Sequence, residues 1–179
     1  FNRQFGKEPW CLYRGKHLLS SVDNHDVNRI ASTLDNKDLL PALYAMVYTM
    51  PGIPCVYYGS EWGLTGTKNA NDTALRPEVE SPEWTDLTEQ IAKFGQIRQD
   101  HPELIHGDYT QIAINNPWCI YQRSWNGKSV WTCINLTDQP ISIPVNVHQT
   151  MTNLMTDELE DIQGSVSLDP TSYKLLSFE

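Results

Sequence analysis

Leu18-Leu19-Ser20-Ser21-Val22 runs straight into Asp23-Asn24-His25-Asp26. An uncharged, largely apolar run followed at once by acid, amide and imidazole is how a buried parallel strand reads where it opens into a loop. The text beyond it follows the same plan. Asp38-Leu39-Leu40-Pro41-Ala42-Leu43-Tyr44-Ala45-Met46-Val47-Tyr48-Thr49-Met50 sets Leu39, Leu43, Met46, Val47 and Met50 on one helical stripe. Asp38 is the expected N-cap, and Pro41 falls in the first turn, where its missing N–H costs little. Pro51-Gly52 stops the helix. Cys55-Val56-Tyr57-Tyr58 reads as a second short buried strand, with Cys55 a small buried hydrophobe, and leads into a polar, Gly-rich stretch from Gly59 to Asn71. Ser81-Pro82 and Asp86-Leu87-Thr88-Glu89 both read as helix starts, the second as a variant capping box. Leu87, Ile91, Phe94 and Ile97 give the next helical stripe, closed by Pro102. Strand, helix, strand, helix is the pattern of two βα units.

From about Leu104 the pattern changes. Residues 109–114, 118–124, 130–136, 141–147, 150–155, 165–168 and 173–178 read as short strands, punctuated by Asn115-Asn116-Pro117, Asn126-Gly127, Asp138-Gln139-Pro140 and Asp169-Pro170. This predicts a small antiparallel β-sandwich. A two-residue turn at Asn126-Gly127 pairs Cys119 with Ile134 and Cys133 with Ile120, leaving two free thiols on opposite faces. One residue of slip would instead set the two cysteines opposite each other. The acidic run Asp157-Glu158-Leu159-Glu160-Asp161 reads as a solvated loop without the spacing of a calcium loop.

Composition limits the function. Of 179 residues, 40% are hydrophobic and 20% charged, which is a core-forming composition. Thirteen basic against 22 acidic residues leave a net charge of −9, and no Lys/Arg cluster stands out, so neither nucleic acid nor an anionic membrane is an expected partner. No apolar run approaches the roughly 18–20 residues of a membrane helix. A complete (β/α)8 barrel needs about 250 residues, so this length excludes one. The opening Phe1-Asn2-Arg3-Gln4-Phe5, with no Met, is expected of a processed product or a piece of a longer chain, and it leaves the compartment open. No Cys or His spacing points to zinc.

In a parallel α/β architecture, ligands meet the C-terminal ends of the strands, which is where Asn24-His25-Asp26 falls. A carboxylate there can stabilise developing positive charge, and an imidazole can donate to a hydroxyl. The plain alternative is a polar turn, with Asn24 or Asp26 capping a helical turn at Val27-Asn28-Arg29-Ile30. The combination is more specific than either part. One strand ends in Asp-Asn-His-Asp, a helix follows, then Pro51-Gly52-Ile53-Pro54, a second strand, and Tyr57-Tyr58-Gly59-Ser60-Glu61. Residues 18–61 resemble the seventh and eighth barrel strands of the α-amylase superfamily, glycoside hydrolase family 13, and are most similar to maltodextrin- and cyclodextrin-acting members.

The resemblance implies an α/β plus all-β fold: the last two βα units of a (β/α)8 barrel over residues 1–103, then a C-terminal antiparallel β domain over 104–179. It implies that Asp26 is the carboxylate stabilising the transition state and that His25, with Asn24 beside it, binds the same sugar. Arg76, in Leu75-Arg76-Pro77, falls where many members carry an Arg in a substrate loop, although Leu stands here where several have a second Arg. Tyr58 is a candidate sugar-stacking wall; with Glu61 it reads rather as a structural or rim residue. No cofactor and no metal ligand is expected in this chain, with calcium an expectation for the full-length protein only. Trp118, Trp125 and Trp131 lie on or beside the predicted hairpin, where some must fill the sandwich core.

Retaining glycoside hydrolysis needs a nucleophile and an acid about 5–5.5 Å apart. In this family both come from earlier barrel strands, and nothing in residues 1–16 resembles those motifs. The expectation is the C-terminal portion of an enzyme acting on α-glucan oligosaccharides, inactive alone. It would be completed by the missing barrel portion or self-associated through exposed strand edges. The competing readings are a non-catalytic carbohydrate-binding module and a transglycosylase of the same superfamily.

Overall fold

The computed structural model describes residues 1–69 and 72–179. The polar stretch read from Gly59 onward is therefore seen as far as Asn69, and its Ala70-Asn71 end lies outside the described residues. The helical half contains α1 (Asn2–Phe5), β1 (Leu19–Ser20), α2 (Ile30–Thr33), α3 (Leu40–Thr49), β2 (Ile53–Pro54), α4 (Asp86–Asp100) and α5 (Pro102–His106). The sheet half contains β3 (Asp108–Asn115), β4 (Trp118–Trp125), β5 (Lys128–Asn135), β6 (Ile141–Asn153), β7 (Glu158–Leu168) and β8 (Ser172–Phe178).

The expected parallel pair forms, but it is shorter and more open than the apolar runs imply. Leu19 pairs with Ile53 and Ser20 with Pro54, so the second strand begins two residues before Cys55. Gly52, at φ +126, lets the backbones meet, because a Cβ there would strike the Leu18 carbonyl oxygen. Val22 and Val56 pack toward the helices. Leu19, Ile53 and Cys55 face solvent. Cys55 is thus not the buried hydrophobe expected, because nothing among the described residues packs over that face of the pair.

The helices follow the sequence with local shifts. A single 3-10 turn, residues 37–39, precedes α3, and Asn36 rather than Asp38 caps it by accepting from the Asp38 N–H at 2.9 Å. Leu40, Tyr44, Ala45 and Val47 are buried, whereas the predicted stripe members Leu39, Leu43 and Met46 are only half-buried. The difference arises because α3 is covered on several sides, by α4, β5 and β8. The α4 capping box is built by Thr85 and Thr88, one residue before the predicted Asp86 start. Pro102 closes α4 and also opens α5 as its N-terminal proline. Ser81-Pro82 starts no helix.

The six strands lie in the order β3-β4-β5-β8-β6-β7. The sheet doubles back on itself: β3 touches β6 and β5 touches β7, although neither pair is adjacent in that order. Between the two layers lie Ile120, Trp131, Cys133, Ile143, Met151, Ile162, Val166, Leu168 and Leu176. Cys119 pairs with Ile134 and Ile120 with Cys133, the register of the two-residue turn, and Asn126 and Gly127 both take positive φ. All four cysteines are free thiols. Residues 141–147 and 150–155, read as two strands, are mostly one: β6 runs to Asn153 with an irregularity between Pro144 and His148. The acidic run is not a loop. Asp157 takes φ +62 to finish the turn, and Glu158–Asp161 then pair along β6, which uses their backbones in the ladder.

A second apolar cluster joins the halves. Leu40, Tyr44, Ala45, Val47, Ile91, Phe94, Ile97 and Leu104 share it with Val130, Leu154 and Leu175 of the sheet half.

Candidate active site

The loop after β1 splits its polar residues by environment. Asp23 is 3% exposed. Its Oδ2 accepts from the Ile30 N–H at 2.9 Å and the Ser60 hydroxyl at 2.8 Å. It is therefore Asp23, not Asn24 or Asp26, that serves the N-terminus of α2. Asn24 makes a local turn, its Oδ1 accepting from the Asp26 N–H at 2.7 Å. That turn pushes His25 and Asp26 outward, with side chains 56% and 62% exposed.

Three predicted site residues converge there. His25 Nε2 lies 3.3 Å from Asp26 Oδ2, and Arg76 Nη2 lies 3.3 Å from Asp26 Oδ1. Arg76 Nε also donates to the His25 carbonyl at 3.4 Å, and Lys68 Nζ donates to the Asp26 carbonyl at 3.0 Å. Arg76 is fifty residues from Asp26 in sequence, and the 3-10 turn Thr73–Leu75 delivers it. The His25 ring lies 6.4 Å from that of Tyr57, which meets Tyr58 edge-on at 4.7 Å. Tyr58 is 40% exposed, with its hydroxyl donated to the Pro77 carbonyl at 2.9 Å. The outcome is a solvent-facing carboxylate between an imidazole and a guanidinium, walled by two phenols. Such a group can accept sugar hydroxyls and oppose positive charge.

Glu61 stands apart from this face. Its backbone carbonyl accepts from the Thr88 hydroxyl at 2.9 Å, and its Oε2 is buried without a hydrogen-bond partner among the described residues. Tyr44 lies nearby, its phenol pushed up by burial and by the charge of Asp23.

Sequence reasoning missed the residue beneath the site. Arg29 is fully buried. Its Nη1 donates to the Tyr58 carbonyl at 2.6 Å and the Ser60 hydroxyl at 3.2 Å, and its Nη2 to the Leu75 carbonyl at 2.9 Å. The guanidinium carbon lies 4.1 Å from the Tyr57 ring centroid and 5.0 Å from that of Tyr58. In Val27-Asn28-Arg29-Ile30 the arginine looks like a solvated helix start, and no local signal marks it as buried.

Of the tryptophans, Trp131 fills the core with its N–H on Gln122, Trp118 packs partly against it, and Trp125 is 44% exposed beside His106. Among the described residues no group of three or more His, Cys, Asp or Glu is placed to hold a metal. In the acidic run, Glu160 is taken by Lys174 at 2.6 Å and by Asn153 at 2.7 Å. Among the described residues no helix is long and apolar enough to cross a membrane.

The model of the alpha-amylase catalytic domain matches residues 12–107, more than half of the chain and all of this site. The chain belongs to the alpha-amylase family. Among its family relatives, a cyclomaltodextrin glucanotransferase of Bacillus sp. (strain 6.6.3) is 31% identical over 145 residues, covering 81% of this chain and 20% of that protein. A maltogenic alpha-amylase of Bacillus acidopullulyticus is 26% identical over 167 residues, covering 88% and 28%. The fold agrees with that of the alpha-amylase of Geobacillus thermoleovorans, solved in complex with acarbose: the TM-score is 0.79 at 22% identity, covering 90% of this chain and 38% of that one. The chain thus spans about a fifth of the length of the curated glucanotransferases it matches. Its six-stranded antiparallel sheet and partial barrel fit the C-terminal part of these enzymes.

Proposed function

We propose that this chain is the C-terminal portion of a retaining enzyme acting on α-glucans. Residues 1–103 would supply the end of the barrel and 104–179 the C-terminal β domain. The observation that supports it most is the placement of Asp26: held outward beyond a parallel strand, 3.3 Å from both His25 and Arg76. In this reading Asp26 accepts the hydroxyls of the distorted sugar and opposes the charge of an oxocarbenium-like transition state. His25 and Arg76 bind neighbouring hydroxyls, Asn24 shapes the turn, and Tyr58 lines the rim. Among the described residues the Asp26 carboxylate is met by the imidazole of His25 and the guanidinium of Arg76, while Lys68 meets its backbone carbonyl. The nucleophile and acid would come from the rest of the barrel, so the chain alone would not turn over substrate. Any calcium would be bound there too.

Transfer to a sugar acceptor instead of water is the second reading, favoured by the glucanotransferases among the relatives. The test compares amylose turnover by the 179-residue chain, by the complete protein, and by the complete protein with Asp26→Asn. We expect activity only in the complete protein, lowered about a hundred- to a thousandfold by Asp26→Asn, the scale on which single transition-state contacts act. Turnover by the isolated chain would overturn the proposal. A rise in reducing ends would mark hydrolysis, and redistribution of chain lengths or ring closure without that rise would mark transfer.

A further inference from the structure

We propose that Arg29 is a positioning residue, locking the loop that carries Asp26 to the segment that carries Arg76. The inference rests on the role proposed for Asp26.

Burying a guanidinium is costly, and a well-packed apolar side chain would fill the same space at less expense. No carboxylate pairs with Arg29 directly among the described residues. Asp23 reaches it only through the Ser60 hydroxyl, which donates to Asp23 and accepts from Arg29. What the planar fork achieves is geometric. Its acceptors belong to two separate stretches, at Tyr58 and Ser60 and at Leu75. Its own backbone N–H donates to the Gly66 carbonyl at 2.9 Å. The Leu75 carbonyl also accepts from the Tyr57 hydroxyl at 3.3 Å, and the Pro77 carbonyl from the Tyr58 hydroxyl. Arg76 is therefore fixed on both sides, by groups that stack on or bond to Arg29. Asp26 precedes Arg29 by three residues, and Asn28 Oδ1, between them, accepts from the Lys68 N–H at 2.7 Å. Asp23 Oδ1 and Arg29 Nε are buried without hydrogen-bond partners among the described residues, a departure that calls for a reason other than stability.

The test uses the complete enzyme. Arg29→Lys keeps the charge and the stem but loses the fork, and Ser60→Ala removes only the bridging hydroxyl. We expect Arg29→Lys to lower kcat by about ten- to a hundredfold, the upper figure being what a 1 Å misplacement can cost, with KM within about threefold and the folded fraction unchanged by circular dichroism. Ser60→Ala should act in the same direction with smaller size, and it decides the matter if Arg29→Lys does not fold. Unchanged kcat in the folded variant would overturn the inference, as would a loss that merely follows the melting temperature. Asp26→Asn is measured beside them. If it keeps full turnover, the role of Asp26 is wrong. Arg29 is then judged by hydrogen exchange: the Leu75 and Arg76 amides should exchange at least about tenfold faster in Arg29→Lys while those of β5 and β8 do not, and no difference would reject the lock.

Discussion

Leu19 and Ile53 are direct partners across the parallel pair, and both stand open to solvent, 73% and 49% exposed. Parallel strands are ordinarily covered on both faces, so this open apolar face is a place for association. We expect the isolated chain to self-associate with rising concentration in sedimentation and to bind an apolar dye. Leu19→Lys with Ile53→Lys should abolish both at a stability cost within about 1 kcal/mol, since neither side chain is in the core. A wild-type chain that stays monomeric and binds no dye would sink this expectation.

Asp23 and Asp26 are the same residue type three positions apart in opposite surroundings, one buried and one open to solvent. Asp23→Ala strands the Ile30 N–H and the Ser60 hydroxyl in the interior and should cost about 2–4 kcal/mol in urea unfolding. Asp26→Asn breaks only exposed pairs and should stay within about 0.5 kcal/mol. Equal losses would mean that Asp26, too, is a structural carboxylate.

Phe94 binds the halves together. It is 1% exposed, meets Tyr173 of β8 edge-on at 5.4 Å and lies in the cluster shared with Val130 and Leu175. Tyr173 also donates to Gln90 of α4 at 2.7 Å. Phe94→Ala should cost about 3–5 kcal/mol. Helix and sheet signals should vanish at the same denaturant concentration in both proteins. Two separate transitions in the wild type would show that the halves do not share a core.

High pH should unfold the protein through buried acids. Burial pushes the Cys119 thiol up to about 11 and the Tyr173 phenol up to about 12, and raises Tyr109, Tyr121 and Cys133 as well. Each group stays protonated in the folded chain after its unfolded counterpart has ionised. The stabilisation is therefore whole below about pH 9 and drains away as pH rises toward 11, by about 2 kcal/mol for Cys119 alone. Melting temperature measured from pH 7 to 11 should be flat and then fall, and Cys119→Ser should soften the fall. Thiol labelling at pH 7 should find exposed Cys55 first and Cys133 only on unfolding.

Much of the fold was legible because local chemistry wrote it. Asn126-Gly127 specified a turn in which both residues take positive φ, and of the two registers open to it the structure takes the one that sets Cys119 against Ile134. The Asn24-His25-Asp26 loop and the stripe of Ile91, Phe94 and Ile97 were readable for the same reason. The misreadings share a cause as well. Cys55 and the acidic run 157–161 were judged by composition, but one lost its cover and the other was drawn into a ladder, and composition reports neither.

The amino-acid sequence by itself determined the strand, helix, strand, helix order ahead of a strand-rich tail, the Asn126-Gly127 turn and the family. Periodicity and turn chemistry act over a few residues. Only the tertiary structure decided that Asp23 is buried while Asp26 is offered to solvent, and that Arg29 lies beneath Arg76. Those outcomes depend on desolvation and hydrogen bonding by Ser60 and Leu75, which reach Arg29 from 31 and 46 residues away.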